Sequence, residues 1–449
     1  MGGHGHGEPE VKDDRVYPKA SWLQRRVHGW TFQAFPIGMG ISAVYVSMSG
    51  LQNHPDALTS VEIALFFLNI AVFSGNTFMM LMQAILWPQR TKALIKDPVK
   101  GIFVPMVVLS FATIIIGVVL YSIPLSHVSP EFVFIVFWIY VAFAILVCFP
   151  MLMIWFNKPH NISSYTPAWM FLVFPLMLTG IVGSQTLDVF PHDDPRSVSV
   201  LLVSYVFQGA GLTITMLYLS LYLLRIVTTG FLDGHQANGA FVAAGPPGFT
   251  ATALLKLGES ARDILPRYDL VSPAAGEIWY AGSVLSAMLL YGMAVFLFIF
   301  GALPYWFKVH KHLNEILGAA ALTFPNVGWI GATSLLADVF KSQFLFSVHT
   351  VMVIVIVVLF TGFIILFLAA FFKGLILIST DKEVWMDSPA GIREATEAMA
   401  FPQKDQPRPG FMSSENMDDA PVAGDDKDLK KDDAGPAASG EGWRPYRYV

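Results

Sequence analysis

The chain has 449 residues, of which 54% are hydrophobic and only 14% charged, with a mean hydropathy of +0.56 and a formal charge of −5. An average soluble domain carries about 25% charged residues, so this balance excludes a water-soluble fold. A single cysteine, Cys148, excludes an intrachain disulfide framework and a cysteine-based metal site.

Residues 1–29 are polar and carry no apolar core of a signal peptide, which predicts a cytosolic N-terminal segment. His4 and His6 alternate with glycine there; a solvated tail accounts for them as well as a stray metal ion does. From Trp30 to Ile378 the sequence is a succession of apolar runs, each near the roughly 20 residues that cross a hydrocarbon core of about 30 Å. Ten spans are predicted, near 30–50, 60–87, 102–125, 131–156, 167–190, 197–227, 239–261, 277–307, 317–340 and 343–376. The fold class is therefore an all-α integral membrane protein. Residues 379–449, rich in Asp, Lys, Pro, Gly and Ser, read as a disordered acidic tail, with an amphipathic piece around Glu394 to Ala400.

Lys12, Arg15, Lys19, Arg25 and Arg26 precede the first span, and Arg90, Lys92, Lys96 and Lys100 fill the second connection, whereas the first and third connections have no Lys or Arg. Short cytoplasmic loops collect these residues, so both termini are placed in the cytosol.

Odd-numbered spans carry breakers. The first has Phe35–Ser42 (FPIGMGIS, with Gly38 and Gly40), the third opens on Pro105, and the fifth has Pro175 and Gly180. The seventh has Gly245-Pro246-Pro247-Gly248, and the ninth has Phe324-Pro325-Asn326. Even spans are smoother. Proline removes a backbone donor and interrupts a helix. At membrane depth irregular backbone is tolerated where it packs in protein or lines a cavity, so the odd spans are expected to ring a central pathway and the even ones to face lipid. Freed N–H groups at such breaks favour anions, with Gly245–Gly248 the strongest candidate.

Ionisable groups within the spans are few, which makes each a functional candidate. Lys256 either meets a substrate carboxylate or snorkels to an interface. His349 either relays protons or hydrogen-bonds a neighbouring helix. Asn69, Asn76, Gln185 and Gln208 read as polar contacts between helices, and Asn326 stands at a break.

The pieces Pro167–Trp169 leading to Phe174 and Pro175, Phe207–Gly211, Leu223–Gly230, Gly245–Gly258 and Phe324–Gly328 resemble, in order, the fungal malic acid transport proteins of the tellurite-resistance/dicarboxylate transporter family, which includes the plant slow anion channels. The resemblance implies five helical hairpins, a pore lined by odd helices and closed by Phe324, and a homo-oligomer. It implies malate or succinate as the substrate, proton coupling and a fungal plasma membrane. The first span departs from the Met-Ala-Thr-Gly-Gly type of stretch found in malate carriers. A channel or exporter for sulfite or another inorganic anion is the alternative, and a sensor without flux leaves the broken helices without purpose. With His349 the one histidine well inside a span, a haem-binding enzyme is disfavoured, so no enzymatic activity, metal, cofactor or nucleic-acid partner is expected.

Overall fold

The computed structural model describes residues 17–309 and 312–400; His4, His6 and the acidic stretch 401–449 lie outside them. In chain order, α1 (Trp22–Gly29) leads to α2 (Phe35–Ser49) and α3 (Asp56–Leu86). Then come α4 (Pro88–Lys96), α5 (Met106–Gly117), α6 (Pro130–Phe156), α7 (Phe174–Val189) and α8 (Arg196–Thr229). The series closes with α9 (Gly245–Arg267), α10 (Ala275–Lys308), α11 (Phe324–Phe340), α12 (Gln343–Phe372), α13 (Asp381–Met386) and α14 (Pro389–Ala400). Among the described residues there is no strand.

Five of these helices, α3, α6, α8, α10 and α12, are continuous and 27 to 34 residues long. Each alternates with a split segment, in which a 3-10 stretch hands over to an α-helix. The 3-10 parts are Phe32–Ala34 before α2, Gly101–Phe103 before α5, Pro167–Leu172 before α7, Gly234–Ala244 before α9 and Leu313–Leu322 before α11. Proline marks each handover: Pro36, Pro175, Pro246 and Pro325 lie in first turns, and Pro105 stands just ahead of α5. There the missing amide costs nothing and the fixed φ suits the helix. The prolines therefore start the α-helical halves and do not kink them from within.

The packing closes on itself. Inner helix α2 contacts α5, α5 contacts α7, α7 contacts α9, α9 contacts α11, and α11 returns to α2. Each long helix packs against the inner helix before it and the one after it: α3 on α2 and α5, α6 on α5 and α7, α8 on α7 and α9, α10 on α9 and α11, α12 on α11 and α2. The result is five hairpins with an inner ring of split segments and an outer ring of long ones. Burial follows the division. In the most apolar windows of the third and ninth segments, 67% and 56% of residues are buried, against 17 to 33% in the five long helices. Leu81, Leu146, Val206, Leu289 and Val358 stand exposed on the long helices, which is the surface that lipid would cover.

Seven helical segments are long and apolar enough to cross a bilayer, namely the five long helices and the segments at 101–122 and 313–340. The remaining three are short or polar. Helix α2, at 15 residues, spans only about 22 Å. The second half of α9 carries Lys256, Glu259, Arg262, Asp263 and Arg267, of which the last four are exposed.

At one end, called here the terminal end, α1 packs against the stretch that follows α12. Arg26 donates to the carbonyls of Ile376 and Phe371, and Arg25 Nε to the Ser379 carbonyl at 2.9 Å. His28 lies 2.7 Å from Ser379 Oγ and 2.9 Å from Asp387 Oδ2. The first part of the stretch expected to be disordered, residues 381–400, is instead helical, as α13 and α14. Its acidic residues serve this contact: Asp381 accepts from the Ala20 amide, and Glu383 completes a capping box with Thr380.

Candidate functional site

All five inner helices run in the same direction, because one full-length antiparallel helix separates each from the next. Their N-termini therefore point toward the terminal end, each inside the ring where its 3-10 stretch ends. None of the residues ahead of them, Ala34, Pro105, Val173, Ala244 and Thr323, makes a side-chain cap, and none of the five first turns holds an acidic or basic residue. A free helix start carries the equivalent of roughly half a positive charge and favours an anion, but each of these continues a 3-10 stretch that already accepts from its opening amides: Gly245 donates to the Val242 carbonyl, Leu176 and Met177 to that of Val173, and Asn326 to that of Thr323. The stretch before α9 opens on Asp233, whose side chain accepts from the Gly234 amide, and the one before α11 carries Glu315, so the feature the five starts share is a first turn without a charged side chain.

At this level the ring is packed shut. Residues 174–187 of α7 and 245–251 of α9 are buried throughout, and Phe324, the first residue of α11, is 5% exposed. Its ring sits 5.2 Å from that of Phe249, an aromatic pair joining two inner helices.

The glycines singled out in the sequence are spent largely on helix crossings. A Cβ on Gly248 would lie 2.5 Å from the Trp329 amide nitrogen, and one on Gly245 would lie 3.1 Å from the Pro325 carbonyl. Gly38 faces the Asn69 side chain, Gly40 faces Phe360 and Thr323, and Gly180 faces Gln208. Asn326 is engaged on both sides, donating to the Leu322 carbonyl at 2.9 Å and accepting from Trp329 Nε1 at 3.0 Å. Gln208 donates to Thr250 Oγ1, and Thr250 in turn donates to the Pro246 carbonyl, both at 2.8 Å. Asn76 donates to the Ala34 carbonyl at 3.0 Å. Of these, the Asn326 amide satisfies backbone at a break, since its own N–H goes to Thr323 and leaves the Leu322 carbonyl to the side chain.

Lys256 is paired with Asp188 near the C-terminal end of α7, at a partly exposed position. His349 is buried against Gly50 and near Ser334, away from the Phe324 level. A cavity of about 210 Å³ opens at the terminal end below the first and ninth segments, where Arg90, Lys100, Thr31, Gln33 and Asn314 line it together with Glu383. The Thr31 hydroxyl is buried without a partner.

Two features escape the sequence reading. Glu62, in the second turn of α3, is 1% exposed and bonded to His54 and Tyr121; the signal available was a lone carboxylate inside an apolar run. The terminal clasp around His28 had no local signal, since its partners lie some 350 residues away.

A closed ring of parallel broken helices, encircled by lipid-facing ones and without charged side chains in the first turns of its α-helical halves, is the architecture of a membrane transport protein. Residues 29–369 match the family model described as voltage-dependent anion channel, and the chain belongs to that family. It is 24% identical to the sulfite efflux pump of Arthroderma benhamiae over 346 residues, covering 76% of this chain and 90% of that protein. The same identity relates it to the sulfite efflux pump of Trichophyton rubrum. It is also 24% identical to the malic acid transport protein of Schizosaccharomyces pombe over 336 residues, covering 72% and 76% of the two chains.

Proposed function

We propose that the inner ring conducts small carboxylate anions, malate and succinate among them, and that Phe324 is the gate. The observation that carries this reading is the gathering of five uncapped helix N-termini, free of acidic residues, around a level closed by Phe324 and Phe249. Gly38, Gly40, Pro105, Pro175, Gly180, Gly245–Gly248, Pro325 and Asn326 shape that level by setting where each helix starts and how closely its neighbours approach. Arg90 and Lys100 at the terminal-end cavity draw anions toward the ring. Likeness to the malic acid transport protein and the Gly245–Thr250 and Phe324–Gly328 motifs favour the dicarboxylate. The protein sits in the plasma membrane with the terminal end in the cytosol, as the Lys and Arg distribution favours.

The test is uptake of radiolabelled malate by liposomes holding the purified protein, with succinate, sulfite and nitrate as competitors. Malate uptake that succinate blocks supports the reading, and the absence of any malate flux overturns it. A second reading, sulfite export, is favoured by the relatives of which this chain covers 90%; sulfite flux without malate flux would establish it. Inside-out and right-side-out vesicles separate the two directions.

A further inference from the structure

Glu62 is the only carboxylic side chain in the buried class among the described residues, and it lies in an outer helix that carries no Lys or Arg. A buried carboxylate in a spanning helix is costly and points to function when it keeps specific partners. Here the partners form a cluster, hydrogen-bonded around Glu62 and joined by ring packing to Tyr45 of α2. His54 Nε2, on the connection between α2 and α3, is 2.8 Å from Glu62 Oε1, and its side chain is 24% exposed at the end of the ring opposite α1 and α13. Tyr121 donates its hydroxyl to Glu62 Oε2 at 3.2 Å and packs its ring 5.8 Å from that of Tyr45. Tyr45 donates to the Thr113 carbonyl at 2.8 Å and accepts from Asn69 Nδ2 at 3.2 Å. The cluster ends on Asn69 Oδ1, buried without a partner and facing Gly38 of inner helix α2. Buried Phe66 packs against both tyrosine rings.

We propose that Glu62 and His54 form a proton-binding site, reached from the mouth opposite the termini and linked through Tyr121, Tyr45 and Asn69 to the pore-lining helix α2. Hydronium at that mouth gives its proton to the imidazole and leaves water; the imidazolium Nε2–H bond then breaks as an O–H bond forms on Glu62 Oε1, neutral His54 returns, and the reverse steps release the proton to the same mouth. Among the described residues the ion pair recorded for Glu62 is the one with His54. Helices α2 and α5 carry no acid, base or histidine, and the titratable groups they and the 118–122 turn present are Tyr45 and Tyr121. On α3 the other ionisable residue is Asp56, exposed at the first turn. Ionised, Glu62 is a buried negative charge beside the ring and opposes entry of an anion; protonated, it no longer does. A proton and an anion are thereby favoured together, which deepens the transport reading and rests on it.

The experiment uses the full chain in liposomes with an entrapped pH dye, malate and sulfite as probes, and anion counterflow without a pH gradient as a separate measure of the pathway. Wild-type anion flux should rise as the pH at that mouth falls. In Glu62→Gln this pH dependence should be lost, and His54→Gln should displace it. Wild-type flux that does not respond to the pH at that mouth, or an unchanged pH profile in Glu62→Gln, overturns the proposal. Absence of counterflow in wild type overturns the transport reading instead. Infrared difference spectra between about pH 4 and 8 then decide the proton site independently: a carboxylic acid band present in wild type and Tyr121→Phe but lost in Glu62→Gln supports it, and no such band overturns it.

Discussion

Phe324 owes its proposed role to position. It is a first-turn aromatic, next to a proline that fixes where α11 begins, and its ring meets Phe249 across an inner crossing. Replacing it with Ala should raise anion conductance several-fold in planar bilayers, with Leu intermediate; unchanged conductance at equal incorporation removes it from gating. The same substitution empties a buried site and should cost about 3–5 kcal/mol, so surface expression must be measured beside flux. The motif marked Phe324 in the sequence, but its aromatic partner could not be read there, because Phe249 comes 75 residues earlier and only the α9–α11 crossing brings the rings together. Glu62 shows the reverse. It was plain in the sequence as a carboxylate, yet its meaning depends on His54 and Tyr121 closing over it.

The inner helices depend on close approach. Gly248 and Gly328 leave α9 and α11 in backbone contact, whereas Gly209 on α8 has open space where a Cβ would go. Gly248→Ala should therefore lower the detergent melting point through overpacking worth about 1–3 kcal/mol. Gly209→Ala should be neutral or stabilising by up to about 1 kcal/mol, since a helix interior favours alanine. Equal shifts in the two variants would contradict the assigned crossing. The alternation of broken and smooth spans was legible because proline and glycine act locally on backbone. Their division of labour was not: the prolines of the split spans begin helices, and glycines at the inner crossings admit neighbours.

For the whole molecule, the terminal clasp ties α1 to the residues after α12. Burial, the largest effect, pushes the His28 pKa below its ordinary 6.5 against the opposing pull of its Asp387 hydrogen bond, and the Arg90 charge lowers it further. A depressed value means that the folded state resists protonation, so the contribution of the clasp is complete above pH 6.5 and is lost as pH falls below it. The melting point of the wild type should drop on acidification through this range more than that of His28→Asn; parallel curves would exclude His28 as the cause. Truncation after residue 400 should leave transport intact, while truncation after Thr380 removes Asp387 and should lower stability. By itself the sequence determined that this protein lives in a bilayer and which spans are broken, because hydropathy and the missing proline amide act over a few residues. Only the tertiary structure decided that the split spans close into a ring with their N-terminal ends together, and that Glu62 and His28 are buried with partners. Those outcomes arise from contacts between segments far apart in the chain, on which local composition is silent.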